Sequence, residues 1–301
     1  MSSGRSRFVR FAPSPGFAWE PMRRFLAQRA IPSVEVVSPA GQVRTLRIAG
    51  EELVVECRFR PPGPGPKQVS LAAHPNIPNG RLRALGVRLF DLERDLGPYC
   101  RMAARDPVLR RLGRPSPSLR IPQFADPFEG LVRAILGQQV SLAAARTLAA
   151  RLVALAGRPA PSWNGATLRL FPSAEAVAAC GFDRLRDLGL TGAKARALHG
   201  CAVAVAGGAI PLAQLEALPL EEAERALTSL PGIGAWTASY VLMRAFARAD
   251  AFPAADLGVR KALERALPRR RLTPGRIRDL AESWRPWRAY ATFHLWRSLS
   301  T

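Results

Sequence analysis

The chain has 301 residues, of which 48% are hydrophobic, so it can bury a large core and form two or three domains. Its 44 Lys and Arg residues outnumber its 23 Asp and Glu residues, and the formal charge of +21 favours a polyanionic partner. No run of about 18 apolar residues suggests a membrane span. The four cysteines and three histidines are widely separated, which argues against a disulfide framework and a local zinc signature.

The first part of the chain, residues 1–115, predicts a small antiparallel α+β domain. Its helices are predicted at Trp19–Ala30 and near Arg81–Leu92. The alternating apolar runs between them predict four strands, at Val34–Val37, Thr45–Ala49, Leu53–Phe59 and Gln68–Ala72. The prolines of Pro61–Pro66 predict a turn, since proline cannot occupy a central strand. Arg114–Ser118 has the composition of a linker.

From Asp126 onward nearly every segment has helical periodicity, and we predict a mostly α-helical body divided into residues 120–250 and 251–301. Residues that typically cap helices begin several of these segments, namely Asp126, Ser173, Thr191 and Thr273. The predicted helices are Phe128–Leu136, Ser141–Ala156, Ser173–Ala179, Phe182–Leu188, Gly192–Ala206, Leu212–Leu218, Leu220–Leu230, Ala235–Arg248, Gly258–Leu267, Thr273–Glu282 and Pro286–Leu299.

One turn in the helical body has the residues of a phosphate-binding hairpin. Pro231-Gly232-Ile233-Gly234 can turn tightly, and it directly precedes the predicted helix Ala235–Arg248. The unpaired N–H groups at the start of a helix suit a phosphate. An ordinary corner between two helices has the same residues, so the turn alone leaves both interpretations open.

Four segments, in order over nearly the whole chain, resemble the inducible 3-methyladenine DNA glycosylases (type II) of bacteria, which are helix-hairpin-helix DNA glycosylases. They are Trp19–Ala30 with Ser33-Val34-Glu35, Phe128–Ser141, the hairpin through Tyr240, and Trp284–Tyr290 with His294-Leu295-Trp296. The resemblance implies an N-terminal domain like half of the TATA-binding-protein fold and two helical domains that flank a base pocket. It implies duplex DNA with a damaged base as the partner, and base excision repair as the function.

The resemblance makes Asp256 the candidate catalytic residue. A carboxylate beside the sugar can stabilise the positive charge that develops as a base leaves, and can orient water. Asp256 can also cap the helix that begins at Leu257, and one aspartate can do both. Relatives that also cleave the strand carry a lysine at the position of Trp236, where its amine forms a Schiff base. Trp236 therefore predicts a monofunctional enzyme that leaves an abasic site.

Aromatic residues occupy the positions of the family's base pocket, namely Phe25, Trp236, Tyr240 and Trp296. A purine alkylated at N3 or N7, as in 3-methyladenine or 7-methylguanine, is cationic, and aromatic faces attract a cation. Each of these residues could instead belong to the core, where aromatic side chains are commonly buried. We favour the pocket because the resemblance brings these distant segments together.

The resemblance also implies contacts with DNA at three turns, through Gln138, Gln139, Thr191, Gly192, Lys194, Gly232, Ile233 and Gly234. Gln139 stands where such a relative inserts leucine into the gap left by the flipped base, and glutamine can also bond to the orphan base. The backbone carbonyls of Thr228, Leu230 and Ile233 could hold a Na⁺ or K⁺ ion. No other cofactor is expected, and with no cysteine beyond Cys201 we expect no iron–sulfur cluster.

We expect a monomer that acts at the nucleoid in the cytoplasm, since Met1–Arg7 is not followed by the apolar core of a signal peptide. Two alternatives stay open. One is a glycosylase for oxidised purines such as 8-oxoguanine, although its activity usually accompanies the lysine that Trp236 replaces. The other is a non-catalytic DNA-binding module in which Asp256 only caps a helix. A module that binds only the DNA backbone does not need a base pocket, so the aromatic residues argue against the second alternative. Measuring which damaged base is released, if any, distinguishes the two glycosylases and the binding module.

Overall fold

The computed structural model describes residues 8–48, 50–60, 68–165, 167–267 and 272–299. The predicted turn at Pro61–Pro66, the terminal Met1–Arg7 and Ala49, the last residue of a predicted strand, lie outside these residues. The described chain forms an antiparallel sheet with flanking helices and then a helical body, which confirms the predicted α+β class. None of its helices in these ranges is both long enough and apolar enough to cross a membrane.

The sheet has five antiparallel strands in the order β1-β5-β4-β3-β2. Its strands are β1 (Val9–Phe11), β2 (Glu35–Ser38), β3 (Gly41–Ile48), β4 (Glu51–Phe59) and β5 (Val69–His74). The short β1, which the sequence did not predict, pairs with β5. Strand β3 begins well before the predicted start at Thr45, because Val43 pairs with Val36 on one side and with Glu56 on the other.

Both faces of the sheet are covered. One face packs against α1 (Trp19–Ala27) and α2 (Asn79–Phe90). Alternation along β4 directs Val55 to this face and Val54 to the opposite one, where Val54 packs with Trp163. Burial on both faces explains why β4 has a continuous apolar run instead of an alternating pattern.

The helical body begins with α3 (Gly97–Arg105) and α4 (Pro107–Arg111), which the sequence did not predict. Tyr99 and Leu109 in these helices are fully buried in the same core as the later helices. Residues 97–111 therefore pack with the C-terminal helices, although the sequence assigned them to the N-terminal domain. Both helices are short, and short helices give a weak periodic signal.

The remaining helices follow the predicted order. They are α5 (Pro127–Gly137), α6 (Leu142–Ala156), α7 (Ala174–Arg186), α8 (Gly192–Ala206), α9 (Leu220–Thr228), α10 (Ala235–Ala245), α11 (Leu257–Ala266), α12 (Pro274–Leu280) and α13 (Arg288–Ser298), with 3₁₀ turns at Leu212–Glu216 and Ala281–Trp284. The four predicted caps are confirmed, since each side chain accepts a hydrogen bond from a backbone N–H in its first helical turn.

Some predicted boundaries were wrong for local reasons. Helix α10 ends before the predicted Arg248, because Ala247 has a left-handed backbone with φ of 51°. The two helices predicted on either side of Gly181 form one kinked helix, α7, in which Gly181 has φ of 72°. Helix α13 starts later than the predicted Pro286, because the Trp287 N–H donates to the Trp284 carbonyl in a preceding turn.

Candidate active site

A cleft of about 1220 Å³ opens between the hairpin, α5, α10 and the residues around the start of α11. Its walls include the predicted Asp256, Trp236, Tyr240 and Trp296, together with hairpin and loop residues that the sequence assigned to DNA. Residues from four separate segments thus meet in one cleft. Such convergence of polar groups in an apolar cleft is typical of a ligand site.

The Asp256 carboxylate is held by three N–H donors. The indole Nε1 of Trp236 donates to Oδ2 at 2.8 Å, and the indole Nε1 of Trp296 donates to Oδ1 at 2.9 Å. The backbone N–H of Val259 also donates to Oδ1, at 2.8 Å, so Asp256 caps α11 as well. Three donors and no acceptor suit an ionised carboxylate, which accepts hydrogen bonds and cannot donate one.

Gly258 allows this arrangement, and the sequence analysis did not single it out. A Cβ at Gly258 would lie 3.0 Å from Asp256 Oδ1 and 3.0 Å from Trp296 Cδ1. Any larger residue would therefore push the carboxylate and the indole apart. A glycine two residues after the candidate carboxylate is the signal that points to this close packing.

The aromatic rings form a continuous stack beside the carboxylate. Trp236 stacks on Tyr240 with ring centroids 5.5 Å apart, and Tyr240 lies 6.4 Å from Trp296. Trp296 in turn packs against Phe293 at 5.0 Å. Trp236, Tyr240 and Trp296 are half-buried and line the cleft, so they give it flat apolar walls of the kind that a planar base requires, with the buried Phe293 behind Trp296.

Phe25 lies behind this wall. The Arg29 guanidinium covers its ring, with Cζ 3.7 Å from the ring centroid, and the other neighbours of the ring are Phe293 and Arg244. Arg29 therefore lines the cleft at the place that the sequence assigned to Phe25. Since Arg29 follows Phe25 by one helical turn and Arg244 follows Tyr240 by the same spacing, helical geometry is the signal that could have found both.

The two consecutive glutamines of the α5–α6 loop differ in how they are held. The Gln138 amide nitrogen donates to the Thr237 hydroxyl at 2.9 Å and to the Gly232 carbonyl at 3.2 Å, so Gln138 braces the α5–α6 loop against the hairpin. Gln139 is exposed and has a left-handed backbone with φ of 55°. It projects at the mouth of the cleft next to the exposed side chain of Leu142.

The hairpin depends on its first glycine. Gly232 has φ of 72°, and a Cβ there would lie only 2.5 Å from Cβ of Ala197 on α8. Gly234 has nothing within 4 Å of such a Cβ. The Ile233 N–H donates to the Leu230 carbonyl at 3.2 Å, which occupies one lone pair and leaves the other free for a cation. The carbonyl of Leu230 is therefore compatible with the expected ion.

The third turn is held to the protein by its own polar groups. Thr191 caps α8 by accepting from the Lys194 backbone N–H at 3.3 Å. The Lys194 ammonium donates to the Leu136 carbonyl at 3.0 Å, at the C-terminus of α5, and its partial burial lowers its pKa. Lys194 thus stabilises the α5–α6 loop, and Thr191 and Gly192 lie outside the cleft.

The described residues contain no group of three or more His, Cys, Asp or Glu side chains that could hold a metal ion. The cleft offers the Asp256 carboxylate, the donors that fix it and aromatic walls, while the other lining carboxylate, Glu35, is paired with Arg133. Such a site can stabilise positive charge that develops next to Asp256, and can bind a planar group beside it.

The chain matches two protein families. Residues 132–286 match the HhH-GPD superfamily base excision DNA repair protein, and residues 9–126 match the AlkA N-terminal domain. It is 34% identical to DNA-3-methyladenine glycosylase 2 of Escherichia coli over 94% of each chain. It is 36% identical to a probable bifunctional transcriptional activator/DNA repair enzyme AlkA of Mycobacterium tuberculosis, but it spans only 55% of that protein's length. The solved 3-methyladenine DNA-glycosylase from Archaeoglobus fulgidus superposes with a TM-score of 0.80 at 28% identity, covering 96% of this chain and 97% of that one.

Proposed function

The chain belongs to the HhH-GPD superfamily of base excision DNA repair proteins, and we propose that it is a DNA glycosylase that flips an alkylated base out of duplex DNA and removes it. The observation that carries this proposal is the Asp256 carboxylate, fixed by two indole N–H groups at the edge of an aromatic cleft. The name of the Escherichia coli relative supports 3-methyladenine as a substrate.

In the proposed reaction the bond between the sugar C1′ and the base nitrogen breaks, and its electron pair stays on the base. Asp256 stabilises the positive charge left on the sugar, and it orients the water that adds to C1′. Trp236 and Trp296 are positioning residues, because their N–H groups set the direction of both carboxylate oxygens. Tyr240, stacked on Trp236, supplies a wall for the base.

The product we propose is an intact strand with an abasic site. Strand cleavage through a Schiff base requires an amine that can attack the sugar. Trp236 occupies the position of that lysine, and the ammonium of Lys194 is bound to the Leu136 carbonyl outside the cleft. This arrangement supports hydrolysis by water over a covalent route.

We propose that duplex DNA lies across the hairpin and the α5–α6 loop, with Gln139 filling the gap left by the flipped base. The exposed position of Gln139 at the cleft mouth supports this role. The protein would bind DNA as a monomer and act at the nucleoid in the cytoplasm. A Na⁺ or K⁺ ion on the carbonyls of Thr228, Leu230 and Ile233 would strengthen the grip of the hairpin on phosphate, and hydrolysis would require no other cofactor.

The test is release of a base from a duplex that carries one N3-alkylated adenine. We expect the wild type to release free base and to leave strands that break only after alkali, and Asp256→Asn to release none while retaining its affinity for the duplex. Asn cannot accept with both terminal atoms, so its amide nitrogen would face one of the three donors. Asp279→Asn, the same change at an exposed site on α12, is the matched control and should keep full activity.

Each other outcome would refute a different part of the proposal. Base release by Asp256→Asn would refute the assigned carboxylate. A covalent protein–DNA adduct trapped with borohydride would refute the monofunctional mechanism. If the protein binds the duplex tightly and in a salt-sensitive manner but releases no base, the next substrate to test is a duplex that contains 8-oxoguanine. If it releases no base from that duplex either, the protein is a non-catalytic DNA-binding module.

A further inference from the structure

The inner wall of the cleft carries two guanidinium groups that no acid neutralises. Arg29 and Arg244 both line the cleft, and neither forms an ion pair with a carboxylate among the residues that the structure describes. Arg244 is only 2% exposed; its Nε donates to the Pro122 carbonyl and its Nη1 donates to the Tyr240 hydroxyl at 3.1 Å. Arg29 donates to the Phe25 carbonyl at 3.1 Å.

The neighbouring Arg44 and Arg133 are matched by acids, whereas Arg29 and Arg244 are not. Arg133 pairs with Glu35 and with Glu129, each at 2.8 Å, and Arg44 pairs with Glu129 at 2.8 Å. The second oxygen of Glu35 accepts from the Gln42 amide at 2.6 Å, so both carboxylates have other partners. A buried cation without a counter-charge is costly, and unusual charge environments in a cleft are typical of functional sites.

Aromatic rings reduce part of this cost. The Arg244 Cζ lies 4.8 Å from the Phe25 centroid and 4.7 Å from the Phe124 centroid. Burial, opposed by Tyr240 and reinforced by the nearby Arg244, lowers the pKa of Arg29 to about 10, so the side chain stays charged at neutral pH. Both groups therefore present N–H donors and positive charge to the cleft.

The order of side chains along α10 separates Arg244 from the carboxylate. Trp236 bonds to Asp256, Tyr240 stacks on Trp236, and Arg244 bonds to Tyr240, and these three residues follow one another at intervals of one helical turn. In a purine, the edge around C6 is the one farthest from the sugar. A flipped purine with its sugar beside Asp256 would direct that edge towards the arginines.

Tyr240 extends the same donor surface. Its hydroxyl oxygen accepts from Arg244, so its own proton is free to be donated to a ligand. An acceptor atom on the base would bond to these donors and satisfy N–H groups that the protein leaves available. An amino group in the same place is itself a donor, so it would leave the N–H and O–H groups of the protein without an acceptor.

We propose that Arg29, Tyr240 and Arg244 form a specificity edge that selects purines with a carbonyl oxygen at C6 over purines with an amino group there. This inference rests on the proposed glycosylase function. The chemical class it favours is the 6-oxopurine, and 7-methylguanine is its alkylated member.

Duplex DNA treated with dimethyl sulfate tests the proposal, because it contains 7-methylguanine and 3-methyladenine together. The measured quantity is the single-turnover rate of release of each base, divided by its rate without enzyme. We expect Arg244→Met, Arg29→Met and Tyr240→Phe to lower this ratio about 10- to 100-fold more for 7-methylguanine than for 3-methyladenine. Arg278→Met, at an exposed position on α12, is the matched control and should change neither.

Equal losses for both bases in the three variants would overturn the proposal, because they would indicate a role in positioning alone. A selective loss of 3-methyladenine release would overturn it as well. Tyr240→Phe keeps the ring stack and removes only the hydroxyl, so it tests the edge even if an arginine variant fails to fold. Release of neither base by the wild type would instead refute the proposed function itself.

Discussion

Replacement of Glu129 by Gln should destabilise the protein strongly, because it removes one charge from a buried cluster that joins the sheet to the helical body. The Glu129 carboxylate on α5 is 2% exposed and accepts from Arg44 on β3 at 2.8 and 3.0 Å. After the change Arg133 would keep the charge of Glu35, but Arg44 would keep only neutral acceptors, namely the amide oxygen of the new side chain and the Thr45 carbonyl at 3.5 Å. A buried charge left without its partner costs about 3–5 kcal/mol.

The assay is urea unfolding followed by tryptophan fluorescence, which gives the free energy of unfolding. Adding Arg44→Met to Glu129→Gln removes the orphan charge, and we expect the double variant to recover at least about half of the loss. Glu282→Gln is the matched control: Glu282 pairs with Arg285 and Arg288 but is 52% exposed, so solvent screens its ion pairs and the loss should be small beside that of Glu129→Gln. A loss below about 1 kcal/mol for Glu129→Gln, or no recovery in the double variant, would refute the argument.

Two further predictions concern the hairpin and the core. Gly232→Ala should lower the free energy of unfolding by about 2 kcal/mol or more, because it combines a left-handed backbone with a Cβ 2.5 Å from that of Ala197. Gly234→Ala is the control, since its new Cβ would meet nothing within 4 Å, and it should be nearly neutral when both variants are compared by urea unfolding. Burial lowers the pKa of His294, bonded to Tyr99, to about 4, so the folded protein binds this proton less readily than the unfolded chain and loses about 3 kcal/mol of stability as the pH falls from 6.5 towards 4. An NMR titration of the His294 ring checks this, and a midpoint near 6.5 would contradict it.

The features that the sequence predicted well are those that local residues determine. A helix cap such as Asp126 acts within its own first turn, and the turn at Gly232 needs positive φ whatever surrounds it. Helix α3 was missed because its assignment depends on packing, with Tyr99 buried against helices that lie far away in the sequence. The position of Asp256 was predicted, but its two indole partners required the fold.

The pairing of charges in the cleft is a second feature that the sequence could not predict. In the sequence, Arg29 and Arg244 are two of many arginines in a basic chain, and such residues are usually solvated or bound to phosphate. Only the fold shows that Glu35 and Glu129 are taken by other arginines, so that this pair is left without an acid. The cleft therefore holds Asp256 together with two arginines that have no acid of their own. Aromatic walls alone predict a cationic base, whereas in our proposal these arginines also favour an acceptor atom on the edge that the base presents to them.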